Sequence, residues 1–155
     1  MCRVLPCRMP HSYSQTLIHL VFSTKDRRNL IPPELQPRLW KYLAGVGLNH
    51  RLYPKAIGGV ANHVHILFDL APTVNLAEAT KIFKANSSRW MPDHVRGFAW
   101  QRGYGGFGVS ESNRIAVERY IARQEQHHRK ISFEREFEEL LKRHGVHYDP
   151  RWMFG

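Results

Sequence analysis

Apolar residues recur with two different periods along the chain, and these periods predict the order of its elements. Residues 13–24 (YSQTLIHLVFST) and 60–70 (VANHVHILFDL) are rich in β-branched and aromatic residues and are short enough for strands. Residues 52–59 form another predicted strand that ends in Gly58-Gly59. Adjacent glycines between two such segments indicate a tight hairpin.

Four further segments carry apolar residues at helical spacing. The first follows Pro33, and the second follows Thr73, a predicted N-cap. The third is predicted to run to about residue 130, with Ser110 or Ser112 as its N-cap. The last spans 133–143 and is predicted to end at Gly145. A fourth strand is expected in 98–100 or 107–109, flanking a glycine-rich stretch.

The order of these elements is strand, helix, strand, strand, helix, strand and then further helix. This order predicts an α+β fold, a ferredoxin-like (split βαβ) antiparallel sheet with helices on one face and an additional helix after it. No linker divides the chain in two. We therefore expect an N-terminal tail at 1–10, one domain at 11–131, and a C-terminal helix and tail at 132–155.

The excess of basic residues indicates a class of binding partner. The chain has 155 residues, of which 23 are Lys or Arg and 13 are Asp or Glu, for a formal net charge of +10. Such an excess favours a polyanion, with nucleic acid first and an acidic membrane surface second, although a generally basic soluble protein has the same composition. Cys2 and Cys7 form neither a disulfide framework nor a zinc-ligand set. These cysteines, the lack of a membrane-length apolar run and the lack of a signal peptide favour the cytoplasm.

Two histidines share one face of a predicted strand. Side chains alternate along a strand, so His63 and His65 lie opposite the apolar Val64 and Ile66. Neighbouring imidazoles on a rigid strand supply half of a metal site. The alternative is that they are ordinary outward polar positions of an amphipathic strand.

A tyrosine and a glutamine form the second candidate group. Tyr120 and Gln124 are four residues apart, which places them one turn apart on one face of a helix. A solvated helix face with a half-buried tyrosine is the alternative. If Gln124 joined His63 and His65, the three would hold a divalent ion beside a tyrosine placed to attack a phosphate.

Several longer stretches then match a known family. They are IHLVFSTKDRR, GGVANHVHILFDL, FKANSSRWM, GYGGFGVSESN and YIARQEQHH, followed by the tail HGVHYDPRWMF. In this order and spacing the chain resembles the single-tyrosine HUH transposases of small bacterial insertion sequences, including the REP-associated tyrosine transposases. The resemblance covers nearly all of residues 13–128.

The resemblance implies a function and a role for each candidate residue. It implies a DNA transposase that cleaves and rejoins single-stranded DNA with hairpin ends through a 5′-phosphotyrosine. Tyr120 corresponds to the nucleophile, His63 and His65 to the paired metal ligands, and Gln124 to the third ligand. The cofactor is expected to be a divalent ion, Mg²⁺ or Mn²⁺, and the working unit a homodimer. Whether Tyr120 acts within its own subunit or across the dimer stays open.

Other residues are expected to support this chemistry. His19, on the first strand, is a candidate partner of the metal histidines, or else a structural histidine. The candidate DNA-binding residues are Lys25, Arg27, Arg28, Lys84 and Arg123. Tyr104, in the glycine-rich stretch, is the main rival of Tyr120 as the nucleophile.

Two other functions remain open at this point. A domesticated relative would bind hairpin DNA or RNA without cutting it, as RNA-binding ferredoxin-like domains do. A metal nuclease would use water in place of Tyr120. The first would not need all four candidate residues, and the second predicts that Tyr120→Phe retains activity.

Overall fold

Four antiparallel strands form the central sheet, in the spatial order β2-β3-β1-β4. In a computed structural model, which describes residues 13–154, they are β1 (Leu17–Ser23), β2 (Tyr53–Val60), β3 (His63–Asp69) and β4 (Gly105–Val109). Helix α1 (Gln36–Asn49) connects β1 to β2, and α2 (Leu76–Trp90) connects β3 to β4. This βαββαβ arrangement confirms the predicted ferredoxin-like class.

One face of the sheet and the two connecting helices enclose the main core. Alternation along β1 sends Ile18, Leu20 and Phe22 to this face, and β3 contributes every second residue to it as well. The two helices pack against this face with apolar residues spaced three and four apart, among them Leu39 and Leu43 of α1. The opposite face of the same strands is therefore free to carry polar groups.

Three helices cover that opposite face. They are α3 (Arg114–Ala122), α4 (Gln124–His127) and α5 (Phe133–Arg143). Ile121 packs on Leu17 and Leu67, while Phe133 and Phe137 belong to a second apolar cluster. The remaining members of that cluster are Val21, Phe107, Leu140 and Leu141. The sequence predicts α5 with its observed bounds, but it does not predict the surface against which α5 packs.

The hairpin between β2 and β3 turns later than predicted. Gly58 and Gly59 both lie inside β2, and the chain turns at residues 61–62. The prediction of a turn at these glycines is wrong, because their lack of a side chain serves close approach instead. A Cβ on Gly59 would stand 2.2 Å from the carbonyl oxygen of His63 on the neighbouring strand.

The predicted helix caps also differ from those observed. Asn75, rather than Thr73, caps α2, accepting a hydrogen bond from the backbone N–H of Glu78 at 2.8 Å. Neither Ser110 nor Ser112 caps the next helix, because their hydroxyls bond each other at 2.9 Å. Gly145 follows α5 with a positive φ of 65°, as its predicted terminator role requires.

The helix predicted to run to residue 130 is divided in two. After α3 the backbone leaves helical geometry at Arg123, with φ −103° and ψ 19°, and α4 begins at the next residue. The prediction of one continuous helix is wrong for this reason. Gln124 therefore begins a new turn on the far side of this break.

Within residues 13–154, no helix is both long enough and apolar enough to cross a membrane. The predicted N-terminal tail at 1–10, with Cys2 and Cys7, lies outside the described residues.

Candidate active site

Three histidines of the sheet meet on the face that α3 to α5 cover. His63 and His65 of β3 point to this face together with His19 of β1, and all three are buried. His19 Nε2 lies 2.8 Å from His65 Nδ1. The structure thus places His19 directly behind His65, where it can hold the orientation of that ring.

Both residues of the second candidate group reach the histidine pair. Gln124 Oε1 lies 3.0 Å from His63 Nε2, and the ring of Tyr120 lies 5.7 Å from that of His65 between centroids. Gln124 is buried and Tyr120 is partly exposed. All four residues come from the same chain and meet in one cluster.

The centre of this cluster is a residue that sequence reasoning missed. Glu136 of α5 is 1% exposed, and its carboxylate accepts a hydrogen bond from the hydroxyl of Tyr120. It also accepts one from Gln124 Nε2 at 3.0 Å, and its Oε1 lies 3.0 Å from His65 Nε2. A single buried carboxylate therefore joins the tyrosine, the glutamine and the histidine pair.

Two histidines that follow α3 complete the surroundings of Glu136. His128 Nε2 lies 3.1 Å from Glu136 Oε1 and 2.9 Å from Gln124 Oε1. His127 Nε2 lies 3.2 Å from Glu136 Oε2 without the geometry of a hydrogen bond, and this atom has no hydrogen-bond partner within residues 13–154. The sequence places both histidines beyond Gln124 on the predicted helix face without indicating what they contact.

Burial and the Glu136 charge set the protonation states in this cluster. Burial and the neighbouring carboxylate raise the pKa of Tyr120. Burial also acts to raise the pKa of Glu136, but hydrogen bonds from His128, His63 and His65 outweigh it and hold that pKa below its usual value. Burial lowers the pKa of His63 to about 4, against the opposing effect of Glu136. At neutral pH the phenol is thus protonated, the carboxylate ionised and His63 uncharged.

The hydrogen-bond pattern of the rings fits a metal site. The outer nitrogens of two rings face oxygen acceptors, His63 Nδ1 at 2.7 Å from Asn62 Oδ1 and His128 Nδ1 at 2.9 Å from the Ile131 carbonyl. With an ion bound, a neutral ring that donates there would turn an Nε2 lone pair toward the centre, in place of the Nε2–H bond that it donates to Glu136 in the metal-free cluster. There the lone pair meets oxygens of Gln124 and Glu136, an arrangement that is favourable with a cation between them.

Atoms of His63, His65, His128 and Glu136 that could ligate a metal all lie within 4.8 Å of one another. Imidazole nitrogens with a carboxylate oxygen suit several divalent ions. This group could therefore hold a metal ion, in addition to the amide of Gln124 that the sequence indicates.

A basic groove opens beside the tyrosine. It measures about 770 Å³ and is lined by Tyr120 and His127 together with Ala116, Arg119, Arg123, Gln126, Lys130 and Ile131. Within the described part of the chain, Arg119, Arg123 and Lys130 have no ion-pair partner. Arg114 and Arg129, by contrast, pair with nearby glutamates.

The other predicted DNA-binding residues differ in their surroundings. Lys25 and Arg28 are exposed, whereas Arg27 pairs with Glu134 of α5 at 2.9 Å. Lys84 donates to the backbone carbonyls of Gln101, at 2.8 Å, and of Gly103. Burial lowers the pKa of Lys84 to about 8. Arg27 and Lys84 thus also make contacts within the protein.

Tyr104, the rival of Tyr120, lies elsewhere. It lines a separate groove with Phe137, Tyr148 and Trp152 and takes no part in the histidine cluster. Trp90 of α2 lies away from the cluster as well, because it stacks on Tyr42 of α1 with ring centroids 4.7 Å apart.

Comparisons with known proteins identify the family of the chain and agree with its fold. Residues 12–124 match the sequence profile of the family described as "Transposase IS200 like". A crystal structure of a protein assigned as a transposase from Deinococcus radiodurans R1 is 24% identical, with a TM-score of 0.61 over 76% of this chain and 96% of that one. A REP-associated tyrosine transposase bound to a REP hairpin is 11% identical, with a TM-score of 0.58 over 78% and 73%. No curated protein matched the sequence.

Proposed function

Since the chain belongs to the IS200-like transposase family, we propose that it cleaves and rejoins single-stranded DNA with Tyr120 as the nucleophile. The observation that carries this proposal is the hydroxyl of Tyr120, which lies in one hydrogen-bonded cluster with the His63 and His65 pair and borders an open basic groove. A tyrosine that served only packing would need neither the groove nor the cluster.

The proposed reaction exchanges one phosphodiester for another. The hydroxyl oxygen of Tyr120 attacks the scissile phosphorus, and the bond from phosphorus to the 3′ oxygen breaks. The products are a 5′-phosphotyrosine and a free 3′-hydroxyl, whose proton balances the one lost from the phenol. Because the ester conserves the bond energy, a 3′-hydroxyl can reverse the step and rejoin DNA.

Residues His63, His65 and Gln124 would hold the divalent ion, which we propose to be Mg²⁺ or Mn²⁺. When bound, the ion supplies Lewis-acid polarisation of the scissile phosphate. His19 orients the His65 ring from behind. In the DNA-free cluster, Glu136 holds the Tyr120 hydroxyl in its protonated form, so the phenol is not itself activated before substrate and ion are in place.

We propose that the basic groove receives the phosphates that flank the cleaved bond. Arg119, Arg123 and Lys130 supply three positive charges next to Tyr120, and Lys25 and Arg28 supply further charges after β1. The REP-associated relative is described as bound to a REP hairpin, which supports a hairpin near the cleavage site as part of the substrate. Such contacts to phosphates provide affinity and position rather than sequence specificity.

We further expect a homodimer as the working unit and the cytoplasm, where the DNA lies, as its location. The site can be assembled from one chain, because Tyr120, Gln124 and the histidine pair already meet there. Light scattering would measure the mass in solution. A mixture of Tyr120→Phe and His63→Ala subunits would restore cleavage only if the tyrosine acts across a dimer.

The test uses labelled single-stranded DNA from both flanks of the gene, incubated with Mn²⁺ or with chelator. Covalent adducts are separated on a denaturing gel for the wild type, for Tyr120→Phe and for the matched control Tyr104→Phe. We expect an adduct that needs the metal, disappears in Tyr120→Phe and persists in Tyr104→Phe.

Other outcomes would identify the alternatives. Cleavage by Tyr120→Phe without an adduct would replace the tyrosine mechanism by a water-using nuclease. Tight binding of hairpin DNA or RNA without cleavage by the wild type, on flanks shown to contain the ends of the element, would favour a non-cleaving binding protein.

A further inference from the structure

We propose that Glu136 of α5 is itself a ligand of the metal ion in the DNA-free protein, with His128 beside it. The ligand set is then contributed by the sheet and by the C-terminal helices together. The identity of the ion as Mg²⁺ or Mn²⁺ rests on the proposed function; the ligand role of Glu136 rests on the geometry of the cluster.

The first argument is the convergence of ring nitrogens on one carboxylate. Glu136 Oε1 lies 3.3 Å from His63 Nε2, 3.0 Å from His65 Nε2 and 3.1 Å from His128 Nε2. Partners outside the cluster occupy the Nδ1 atom of each of these rings: Asn62, His19 and the Ile131 carbonyl. Three imidazoles fixed in this way bring their Nε2 atoms together beside the same carboxylate oxygen, and an outer partner on Nδ1 is the arrangement of histidines that bind one metal ion through Nε2.

The second argument is the spacing of the atoms. Bonds of about 2.1 Å to one ion, at right angles, separate neighbouring ligand atoms by about 3.0 Å. The distances from Glu136 Oε1 to the three Nε2 atoms are 3.0–3.3 Å, and those from Gln124 Oε1 to His63 and His128 are 3.0 and 2.9 Å. These separations are those of neighbouring atoms in a coordination shell, so little rearrangement is needed to bind an ion.

The third argument is the free-energy cost of burying the Glu136 carboxylate. A fully buried glutamate is rare unless it is paired or binds a metal. Glu136 is held in place by its helix, because Phe133 and Phe137 on either side of it pack into the second apolar cluster. Packing of the apolar stripe of α5 thus places the Glu136 carboxylate next to the histidines. A bound divalent cation would compensate the negative charge of this carboxylate.

A ligand on α5 couples metal binding to the docking of that helix. An ion that binds only the docked state stabilises docking, and docking raises the affinity for the ion by the same factor. Local unfolding or undocking of α5 should therefore be less frequent when the metal ion is bound. This consequence does not depend on DNA or on Tyr120.

The experiment measures Mn²⁺ affinity of the DNA-free full chain by titration calorimetry and by the EPR signal of free Mn²⁺. Glu136→Gln keeps the size of the side chain and removes its charge. We expect it to weaken Mn²⁺ binding at least tenfold, whereas the matched control Glu139→Gln, on an exposed position of α5, should bind as the wild type does. Equal affinity of Glu136→Gln and wild type would overturn the proposal.

A second measurement avoids any variant that fails to fold. Hydrogen exchange of the wild type is followed with and without Mn²⁺, and the amides of α5 should exchange more slowly with the metal. Unchanged exchange in α5 at saturating Mn²⁺ would also overturn the proposal. Since neither measurement contains DNA, an absent covalent adduct with intact Mn²⁺ binding would count against the transposase mechanism and leave the ligand assignment standing.

Discussion

Gly58 of β2 lies directly against the backbone carbonyl of Ile121 in α3, so closely that a Cβ at Gly58 would stand 2.6 Å from the carbonyl oxygen. The residue before Ile121 is the candidate nucleophile, Tyr120. The missing side chain of Gly58 therefore sets how near the tyrosine helix can approach the sheet.

Gly58→Ala should push α3 away from β2 and carry Tyr120 with it. The opposing atom is backbone, which cannot rotate aside, so we expect a loss of about 1–3 kcal/mol in the free energy of unfolding and a clear drop in covalent adduct. Urea unfolding and the denaturing gel measure the two effects. Gly108→Ala is the control, because a Cβ there meets nothing within 4 Å; similar losses in both variants would contradict this explanation.

The basic groove should account for part of the salt dependence of DNA binding. Each phosphate contact on a single strand contributes about 0.7 to the slope of log affinity against log salt. Replacing Arg119, Arg123 and Lys130 by glutamine should reduce that slope by about 2. Fluorescence anisotropy with an unstructured oligonucleotide from 50 to about 300 mM salt measures it.

The control for the groove removes the same charge elsewhere. Lys41, Lys55 and Arg96 are exposed, and they have no ion-pair partner within residues 13–154. Their triple glutamine variant should leave the slope nearly unchanged. Equal slopes for the two triple variants would mean that net charge, and not the groove, governs binding.

Local patterns predicted the parts of the site that depend on one element at a time. Strict alternation in β3 places His63 and His65 on one face, and the spacing of four relates Tyr120 to Gln124. The same patterns do not predict the contacts of Glu136, because its partners lie on other elements. One signal was available: Glu136 follows Phe133 by three residues and precedes Leu140 by four, which puts a carboxylate on an apolar stripe.

The sequence also does not predict where two elements approach each other closely. Adjacent glycines usually indicate a turn, whereas Gly58 allows the close approach of α3 to the sheet. The break at Arg123 is likewise not indicated by the sequence, since nothing in YIARQEQHH interrupts a helix by propensity. Tertiary contacts decide such points, and a local pattern contains no information about them.

Substitutions at the neighbouring Arg27 and Arg28 should have different effects, the first on stability and the second on DNA binding. Arg27 pairs with Glu134 at 2.9 Å and its guanidinium lies 4.4 Å from the centroid of the Phe154 ring, while Arg28 is exposed. Arg27→Gln should lower the free energy of unfolding by up to about 1 kcal/mol, the range for partly exposed pairs. Glu134→Gln should do the same. Arg28→Gln should weaken DNA binding with no change in unfolding, and an Arg28→Gln protein that bound DNA normally would remove Arg28 from the interface.

His19 should act on the metal through His65. Their ring nitrogens are 2.8 Å apart, and if His65 binds the ion with Nε2, its Nδ1 proton is donated to His19 Nε2. Loss of such an outer partner costs about 10- to 100-fold in metal affinity, so His19→Phe should weaken Mn²⁺ binding by that factor. His19→Gln, which keeps an acceptor, should recover part of the loss, while His50→Gln at the end of α1 should have no effect. If His19→Phe bound Mn²⁺ like the wild type while remaining folded, His19 would be a packing residue of the sheet.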